Sequence, residues 1–218
     1  MKISHASLRT IVLAGSLLVL PSTTALLLAQ GGYPPIIASL FPKNASIRSG
    51  QYFPGDRGTG DGSADLPFSF ENPACVKAQY SARISVAVTH YGGETAILIK
   101  SAESPYGSID RDADKEQFIT SATSELAQTR MMPKRETLGI GEIVYVERKT
   151  ECHPVAPATA AARVGPMIVP NVKLKGVAWA GNATVQVTLD GPISVELAKA
   201  AVAEVFANLQ KADFSKAK

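Results

Sequence analysis

The stretch VKAQYSARISVAVTH, residues 76–90, alternates between apolar and polar side chains. Val, Ala, Tyr or Ile fills every second position from 76 to 88, and mainly polar residues fill the positions between them. A period of two is typical of a β-strand with one buried face. We therefore predict a long strand here that ends at a Gly92-Gly93 turn, with residues 96–99 returning as the second strand of a hairpin.

Two other segments have the period of an amphipathic helix. Residues 112–128 carry one apolar stripe and begin with acidic side chains, which suit the positive end of a helix. A second stripe follows Ser194, the predicted N-cap. Its apolar members are Val195, Ala198, Val202, Val205, Phe206 and Leu209.

Strand composition recurs elsewhere in the chain. The remaining candidate strands are residues 46–53, 66–70, 140–149, 172–180 and 183–189. Gly181-Asn182 separates the last two, and glycine at the first turn position suits a type II′ hairpin. The order of these elements predicts the α+β class, with an antiparallel or mixed sheet of about five to six strands packed by two helices.

The amino terminus has the order of a secretion signal. A short positively charged segment precedes an apolar run over residues 11–20, and small residues lead to Ala25. We predict cleavage after Ala25, with Ala29 as the second choice. The alternative is an uncleaved anchor over residues 11–29, since a helix of about 20 mainly apolar residues crosses a bilayer. Cleavage makes residues 1–25 a signal peptide and predicts export to the periplasm or the extracellular space.

The rest of the chain divides by composition. Glycine and proline are frequent over residues 26–65, which we predict to be an amino-terminal arm consisting mainly of loop. Residues 66–212 are expected to form the single α+β domain, with a proline-rich loop over 153–171 and a tail over 213–218. Without the leader, acidic and basic residues nearly balance and no Lys or Arg run remains, so nucleic acid is not expected as a partner.

The chain contains two cysteines, Cys75 and Cys152. Export would carry both into an oxidising compartment, where we expect them to form a disulfide. Closing a loop of that length stabilises a fold by roughly 4 kcal/mol in the chain-entropy estimate. The alternative is a pair of buried free thiols.

Groups that could act as a general base are scarce. After loss of the leader, His90 and His153 are the only histidines. We expect both to be surface or turn residues, because no Gly-x-Ser-x-Gly element accompanies them. The alternative is a hydrolase that uses His90 or His153 with nearby acidic residues.

No metal or cofactor is expected. The acidic string at residues 110–116 lacks the EF-hand pattern, since Lys115 stands where that loop needs glycine, and helix capping is predicted instead. The glycine-rich residues 56–62 are predicted to be a solvated loop. Asn44 and Asn182 each begin a glycosylation sequon.

Aromatic residues fall into two groups. Trp179, with Tyr145, is expected to line the sheet as part of the core. Tyr33, Tyr52 and Phe53 lie in the predicted arm and are candidates for contact with a partner, or they cover the edge of the sheet.

The carboxyl-terminal half resembles exported PsbP-like proteins of the α/β/α sandwich type. The resemblance lies in the segments GIGEIVY, residues 139–145, and GNATVQV, residues 181–187, and in the final alanine-rich helix. It implies an accessory or binding module without catalytic residues. We expect a non-enzymatic envelope protein that binds a protein or small-molecule partner, with no stable membrane span after signal cleavage.

Overall fold

The computed structural model describes residues 32–67, 81–93, 95–96, 110–152 and 167–216. The chain divides into two compact units, Met1–Gly32 and Tyr33–Lys218. The first unit lies outside the described residues except for Gly32. The second has the predicted α+β class, with one antiparallel sheet of seven strands and three α-helices among the described residues.

The strands in chain order are β1 (Ser46–Phe53), β2 (Arg57–Asp65), β3 (Arg83–Tyr91), β4 (Lys134–Leu138), β5 (Gly141–Cys152), β6 (Met167–Ala180) and β7 (Ala183–Gly191). The helices are α1 (Pro35–Ala38), α2 (Arg111–Ala127) and α3 (Val195–Lys211), and a 3-10 turn follows at Phe214–Lys216. The order of strands across the sheet is β1-β2-β3-β7-β6-β5-β4. The described strands thus exceed the five to six expected from the sequence.

The two long helices pack on opposite faces of the sheet. In β5, Val144 and Val146 belong to one buried cluster with the apolar stripe of α2. Their neighbours Ile143 and Tyr145 belong to the main core on the other face, together with the stripe of α3. Successive side chains of a strand point to opposite faces, so a strand that is covered on both sides is apolar at consecutive positions.

Both long helices begin at the predicted caps. The Asp110 carboxylate accepts hydrogen bonds from the N–H groups of Asp112 at 2.9 Å and Ala113 at 3.1 Å, so the acidic string caps α2 as predicted. Ser194 Oγ accepts from the N–H of Leu197 at 3.3 Å and caps α3. The buried residues of α3 are the six of the predicted stripe.

Strand β2 corrects the expectation of a solvated loop at residues 56–62. Its glycines Gly58, Gly60 and Gly62 are buried on one face of the sheet, where α1 and Tyr52 approach the backbone. A Cβ atom at position 60 would lie 2.7 Å from Ile37 Cδ1, and one at position 62 would lie 2.8 Å from Ile37 Cγ2. Glycine at every second position therefore provides the room into which Ile37 packs.

The predicted hairpin between residues 76–90 and 96–99 is wrong. The described part of the first strand forms β3, but β3 pairs along its length with β2 on one side and β7 on the other. No edge of β3 is left for residues 96–99 to pair with. The glycine-rich strand β2 pairs with β3 instead. The sequence pattern did not indicate this strand, because glycine has no side chain that contributes to an apolar period.

The structure also differs from the expected arm and tail. Residues 46–53 form a strand as predicted, and with 57–65 they add β1 and β2 to the sheet, so the second half of the predicted arm at 26–65 is part of the fold. In the predicted tail at 213–218, the side chain of Phe214 is 7% exposed and belongs to the core.

Several predictions of secondary structure fall on residues outside the described ranges. They concern residues 76–80 of the long strand, most of the candidate strand at 66–70, and residues 153–166 of the proline-rich loop. Cys75 and His153 also lie outside the described residues, as do residues 97–99 of the predicted hairpin, and Cys152 is the last residue of β5. The Cys75–Cys152 disulfide therefore stays a prediction.

Strand β4 lies at the edge of the sheet and was not predicted. Side chains on each of its faces form hydrogen bonds with a helix. On one face, the guanidinium of Arg135 donates to Glu116 of α2 at 3.0 Å and 2.6 Å and to Glu142 of β5 at 2.8 Å. These two carboxylates raise the pKa of Arg135. Charged side chains on a short edge strand also oppose pairing with another chain.

On the other face of β4, Glu136 joins the strand to β5 and α3. Its carboxylate accepts from the hydroxyl of Tyr145 at 2.6 Å and from the ammonium of Lys199 at 2.5 Å. Lys199 Nζ also lies 4.7 Å from the centre of the Tyr145 ring. The pKa of Tyr145 is raised mainly by burial and secondly by the hydrogen bond to Glu136, so this hydroxyl stays protonated at neutral pH.

Candidate binding cleft at the end of the sheet

A cleft of about 650 Å³ opens at the end of the sheet where β6 turns into β7. We call it the sheet-end cleft. Its walls are formed by the β6–β7 turn, by His90 near the end of β3 and by the carboxyl-terminal turn after α3. Its size lies within the ~300–1,000 Å³ that is usual for small-molecule sites.

The β6–β7 turn is shaped by glycine. Gly181 has a φ of +55°, and Asn182, which follows it, has no positive φ. This arrangement agrees with the predicted type II′ turn. The backbone N–H of Tyr91 donates to the Asn182 carbonyl at 2.8 Å, which fixes the turn against β3. The Asn182 side chain then lines the sheet-end cleft.

The opposite wall is the segment after α3. Ser215 donates to Asp213 Oδ1 through its hydroxyl at 2.5 Å and its backbone N–H at 3.2 Å. Lys216 Nζ lies 2.9 Å from Asp213 Oδ2. The Ser215 and Lys216 side chains lower the pKa of Asp213 to about 2. The carboxylate is therefore charged at neutral pH, and its charge is balanced by Lys216.

Phe214 connects this wall to the sheet. Its ring stacks on His90 of β3, with centroids 5.0 Å apart and planes 11° apart. The centre of the same ring lies 6.2 Å from that of the Tyr52 ring of β1. The buried Phe214 side chain thus places the carboxyl-terminal turn across the end of the sheet.

His90 is held as a neutral ring. Partial burial lowers the pKa of His90 below its usual value of 6.5. A neutral imidazole offers one donor and one acceptor nitrogen. Neither nitrogen of His90 makes a hydrogen bond or ion pair with a residue that the structure describes.

Two further polar groups in the cleft have no partner. Asn182 and Gln210 line the cleft, and their side-chain amides make no hydrogen bond within the described part of the chain. Trp179 also borders the cleft, but its indole N–H is buried without a hydrogen-bond acceptor, and its ring lies on the face of the sheet opposite α3. A buried donor that lacks an acceptor costs about 1–3 kcal/mol.

Trp179 is held in place from the face of the sheet opposite α3. Its ring stacks on Tyr91, with centroids 5.7 Å apart and planes 10° apart. Arg57 lies over the Tyr91 ring and Arg111 lies over the Trp179 ring, and each guanidinium carbon is 5.7 Å from the ring centre. Cation–π contacts of this kind stabilise by about 0.5–2 kcal/mol. Trp179 is part of the core, as expected.

The sheet-end cleft lacks the geometry of nucleophilic catalysis among the described residues. Such catalysis needs a nucleophile hydrogen-bonded to a base, and the base oriented by a third group. Ser215 is the hydroxyl residue of the cleft, and it donates to Asp213 rather than to His90. What the cleft does offer is neutral hydrogen-bonding groups beside an apolar wall.

The aromatic residues predicted for partner contact have different surroundings. Tyr33 donates its hydroxyl to the Arg48 carbonyl of β1 at 2.8 Å, which covers part of that sheet edge. Tyr52 is half-buried against the core, and burial raises its pKa. Phe53 is 61% exposed at the end of β1 and is the one of the three that is open to a partner.

Sequence reasoning found His90 and Trp179 but did not place them in one site, and it missed Gln210, Asp213 and Phe214. The cleft joins β3, the β6–β7 turn and the carboxyl-terminal turn, which are distant in sequence. The available signal that the tail folds back was Phe214, an aromatic residue shortly after the helix that stands between the polar residues Asp213 and Ser215.

A smaller groove of about 260 Å³ lies between α3 and the segments at 42–44 and 66–67. Its lining is mostly apolar, with Leu197 exposed, and Asn44 of the first sequon lines it. At its side the backbone N–H of Lys43 donates to Glu204 of α3 at 3.1 Å. This groove has fewer unpartnered polar groups than the sheet-end cleft and is the weaker candidate for a site.

Comparison with known proteins gives no relative: no family model, no curated protein and no solved structure matches the chain. Within the described ranges, no three His, Cys, Asp or Glu side chains cluster closely enough to hold a metal ion. No helix in the same ranges has the length and apolar character needed to cross a membrane.

Proposed function

We propose that the chain is an exported, non-catalytic binding module whose ligand occupies the sheet-end cleft. One observation carries the proposal. The polar groups of the cleft that lack partners are all neutral, whereas the carboxylate of Asp213 is engaged by Ser215 and Lys216. Such a site suits reversible binding, because its hydrogen-bonding capacity is free and its charge is already balanced.

Export and the finer fold type belong to the same proposal. The leader at residues 1–25 supports delivery to the periplasm or the extracellular space, where Cys75 and Cys152 would pair. A PsbP-like α/β/α sandwich is supported by the position of α2 and α3 on opposite faces of β5 and β6. Small-molecule or protein partners of the cell envelope are the expected ligands.

A hydrolase is the second candidate, because His90 and Asp213 both line the cleft. The two candidates differ in what they require of the imidazole. A general base contributes about 10²–10⁴-fold to a rate, so a hydrolase would lose most of its activity without it. In a binding site, a neutral hydrogen-bonding group of similar size can replace the imidazole with a much smaller loss of affinity.

The substitution His90→Gln separates these candidates. Glutamine keeps a neutral donor and acceptor but cannot accept a proton near neutral pH. We expect the purified mature protein to leave p-nitrophenyl acetate unhydrolysed above the rate of free imidazole, and the variant to behave identically with an unchanged melting temperature. Turnover by the wild type that falls by about 100-fold or more in a folded His90→Gln variant would establish the hydrolase instead.

A further inference from the structure

The edges of the sheet differ in how they are protected against pairing with another chain. Three of the five residues of β4 are charged, and so are four of the residues 147–151, where β5 extends beyond β4. The end of β6 that extends beyond β7 contains Pro170. The eight residues of β1 include one charged side chain, Arg48, which pairs with Asp65 of β2. In the described part of the chain, β1 is therefore the long edge that charge protects least.

Alternate residues of β1 turn their backbone groups away from β2. The carbonyl oxygens of Ser49 and Gln51 point towards β2, because they lie 2.9 Å and 2.7 Å from the positions that Cβ atoms would take on two of its glycines. Inward and outward groups alternate along a strand, so the N–H and C=O groups of Gly50 and Tyr52 point to the free edge. Among the described strands, β1 pairs with β2 alone, and these outward groups have no strand to bond.

Both ends of the β1 edge are closed. The register with β2 shifts at Arg48, and the carbonyl of this residue accepts a hydrogen bond from the hydroxyl of Tyr33 at 2.8 Å. Pro54 follows the strand and has no N–H group. Bulges and prolines are features that limit pairing at a sheet edge. The open part of the edge therefore consists of residues 49–53.

A second copy of the same chain fits this open part about a two-fold axis at Gln51. In an antiparallel pair centred there, Gly50 lies opposite the partner's Tyr52, and Tyr52 lies opposite the partner's Gly50. Each of these pairs exchanges two N–H···O=C bonds, so the outward groups of both copies are all used. Pro54 would lie opposite the partner's Arg48, where no donor is needed because that carbonyl already accepts within its own copy.

We propose that β1 is the interface of a two-fold homodimer in which residues 49–53 of two copies pair antiparallel. These five residues carry no charge, so the copies do not repel each other at the axis. The pairing also brings Phe53, which is 61% exposed, beside the small side chain of the partner's Ser49. This inference does not depend on the sheet-end cleft.

The dimer is expected to be weak. A ladder of five residues is only ~17 Å long, and it buries less than the ~800 Å² per partner of a standard interface. We expect a Kd between about 10 µM and 1 mM. Sedimentation velocity of the mature protein from about 5 µM to 1 mM measures it, as a rise from the monomer to the dimer sedimentation coefficient.

Two substitutions at Gly50 form a matched pair. Gly50→Ala and Gly50→Pro both place a Cβ atom 3.2 Å from Ile37 Cγ2, so they share the same new contact inside the fold. Alanine keeps the outward N–H group, whereas proline removes it. We expect Gly50→Ala to dimerise like the wild type and Gly50→Pro to dimerise about tenfold or more weakly. Circular dichroism checks that both variants are folded.

Hydrogen exchange tests the same edge without a substitution. The amides of Gly50 and Tyr52 should exchange more slowly at about 1 mM than at about 20 µM protein, whereas those of Ser49 and Gln51 should exchange equally at both concentrations. A wild type that stays monomeric at about 1 mM would overturn the homodimer, whatever else binds this edge. Concentration-independent exchange of Gly50 and Tyr52, or a folded Gly50→Pro variant that dimerises as well as Gly50→Ala, would overturn it too.

Discussion

Single residues decide how closely the layers of this fold approach one another. Gly60 lets Ile37 of α1 reach the backbone of β2, and Gly141 of β5 receives the ring of Phe206 from α3 in the same way. A methyl group at either position would enter space that another side chain occupies. The cost of such overpacking is typically about 1–3 kcal/mol.

We therefore expect Gly60→Ala to lower the free energy of unfolding by about 1–3 kcal/mol, because its new methyl group meets Ile37 at 2.7 Å. Urea denaturation monitored by circular dichroism measures the change. Gly55→Ala is the control, since a Cβ there meets nothing closer than 4.0 Å and an effect within about 0.5 kcal/mol is expected. Equal stability of the two variants would contradict the packing described for α1.

The pKa of His90 predicts how stability depends on pH. Burial lowers this pKa in the folded protein relative to 6.5, so the unfolded chain takes up a proton first as the pH falls. The stability contributed by neutral His90 is present above about pH 6.5 and is lost as the pH falls through the lowered pKa. Asp213 does not titrate in this window, because its pKa is about 2.

Unfolding measured at several pH values should show a smaller loss of stability on acidification in His90→Gln than in the wild type. An NMR titration of the His90 ring checks the cause directly. A midpoint at or above 6.5 in the folded protein would show that the ring is not held in its neutral form.

Residue chemistry alone could identify few members of the cleft. His90, Asn182 and Phe214 come together because β3 pairs with β7 in a register that sets His90 opposite Ala183, and because the chain folds back after α3. Neither the register nor the reversal leaves a local pattern in the sequence. Gln210 is indistinguishable in sequence from any exposed helix residue.

At the scale of elements, the two long helices were predictable because each combines a 3.6-residue apolar period with a side-chain cap. These signals are local, since the stripe and the cap lie on the same segment. Strand β4 gave no such signal. Arg135 donates to a carboxylate of α2 and Glu136 accepts from the ammonium of Lys199 on α3, so the strand is charged on both faces instead of apolar on one.

The cap of α2 yields a prediction with a matched pair of variants. Asp110→Ala removes both hydrogen bonds to the first turn, so we expect the free energy of unfolding to fall by about 1 kcal/mol. Asp110→Asn keeps an acceptor oxygen and should stay close to the wild type. Thermal and urea unfolding compare the three proteins, and similar losses for both variants would mean that charge, rather than capping, is the contribution of Asp110.

At the scale of the whole molecule, the α+β class followed from the order of elements, whereas the topology did not. The predicted hairpin failed because β3 takes its neighbours from distant parts of the chain, β2 before it and β7 after it. The alternating glycines of β2 were interpreted as a solvated loop, so the sequence did not indicate the strand that pairs with β3 on that side. Pairing between distant segments depends on the complementarity of whole faces, which a local pattern does not contain.

The predicted disulfide is also a property of the whole chain. Mature protein purified without reductant and unfolded in urea should contain no free thiol, and reduction should lower its stability by roughly 4 kcal/mol. Thiol titration before and after reduction, with unfolding curves of each form, measures both quantities. Two reactive thiols in the unreduced protein would contradict the disulfide and weaken the case for export.

The most direct test of the central claim uses the β6–β7 turn. In ¹⁵N-labelled protein, the backbone N–H of Asn182 gives one resonance, and Asn182 lines the sheet-end cleft. We predict that the small-molecule fraction of the native cell envelope shifts this resonance saturably and that the bound compound is recovered chemically unchanged. A resonance that stays fixed while the protein retains a ligand, or a ligand recovered as its cleavage products, would contradict the account.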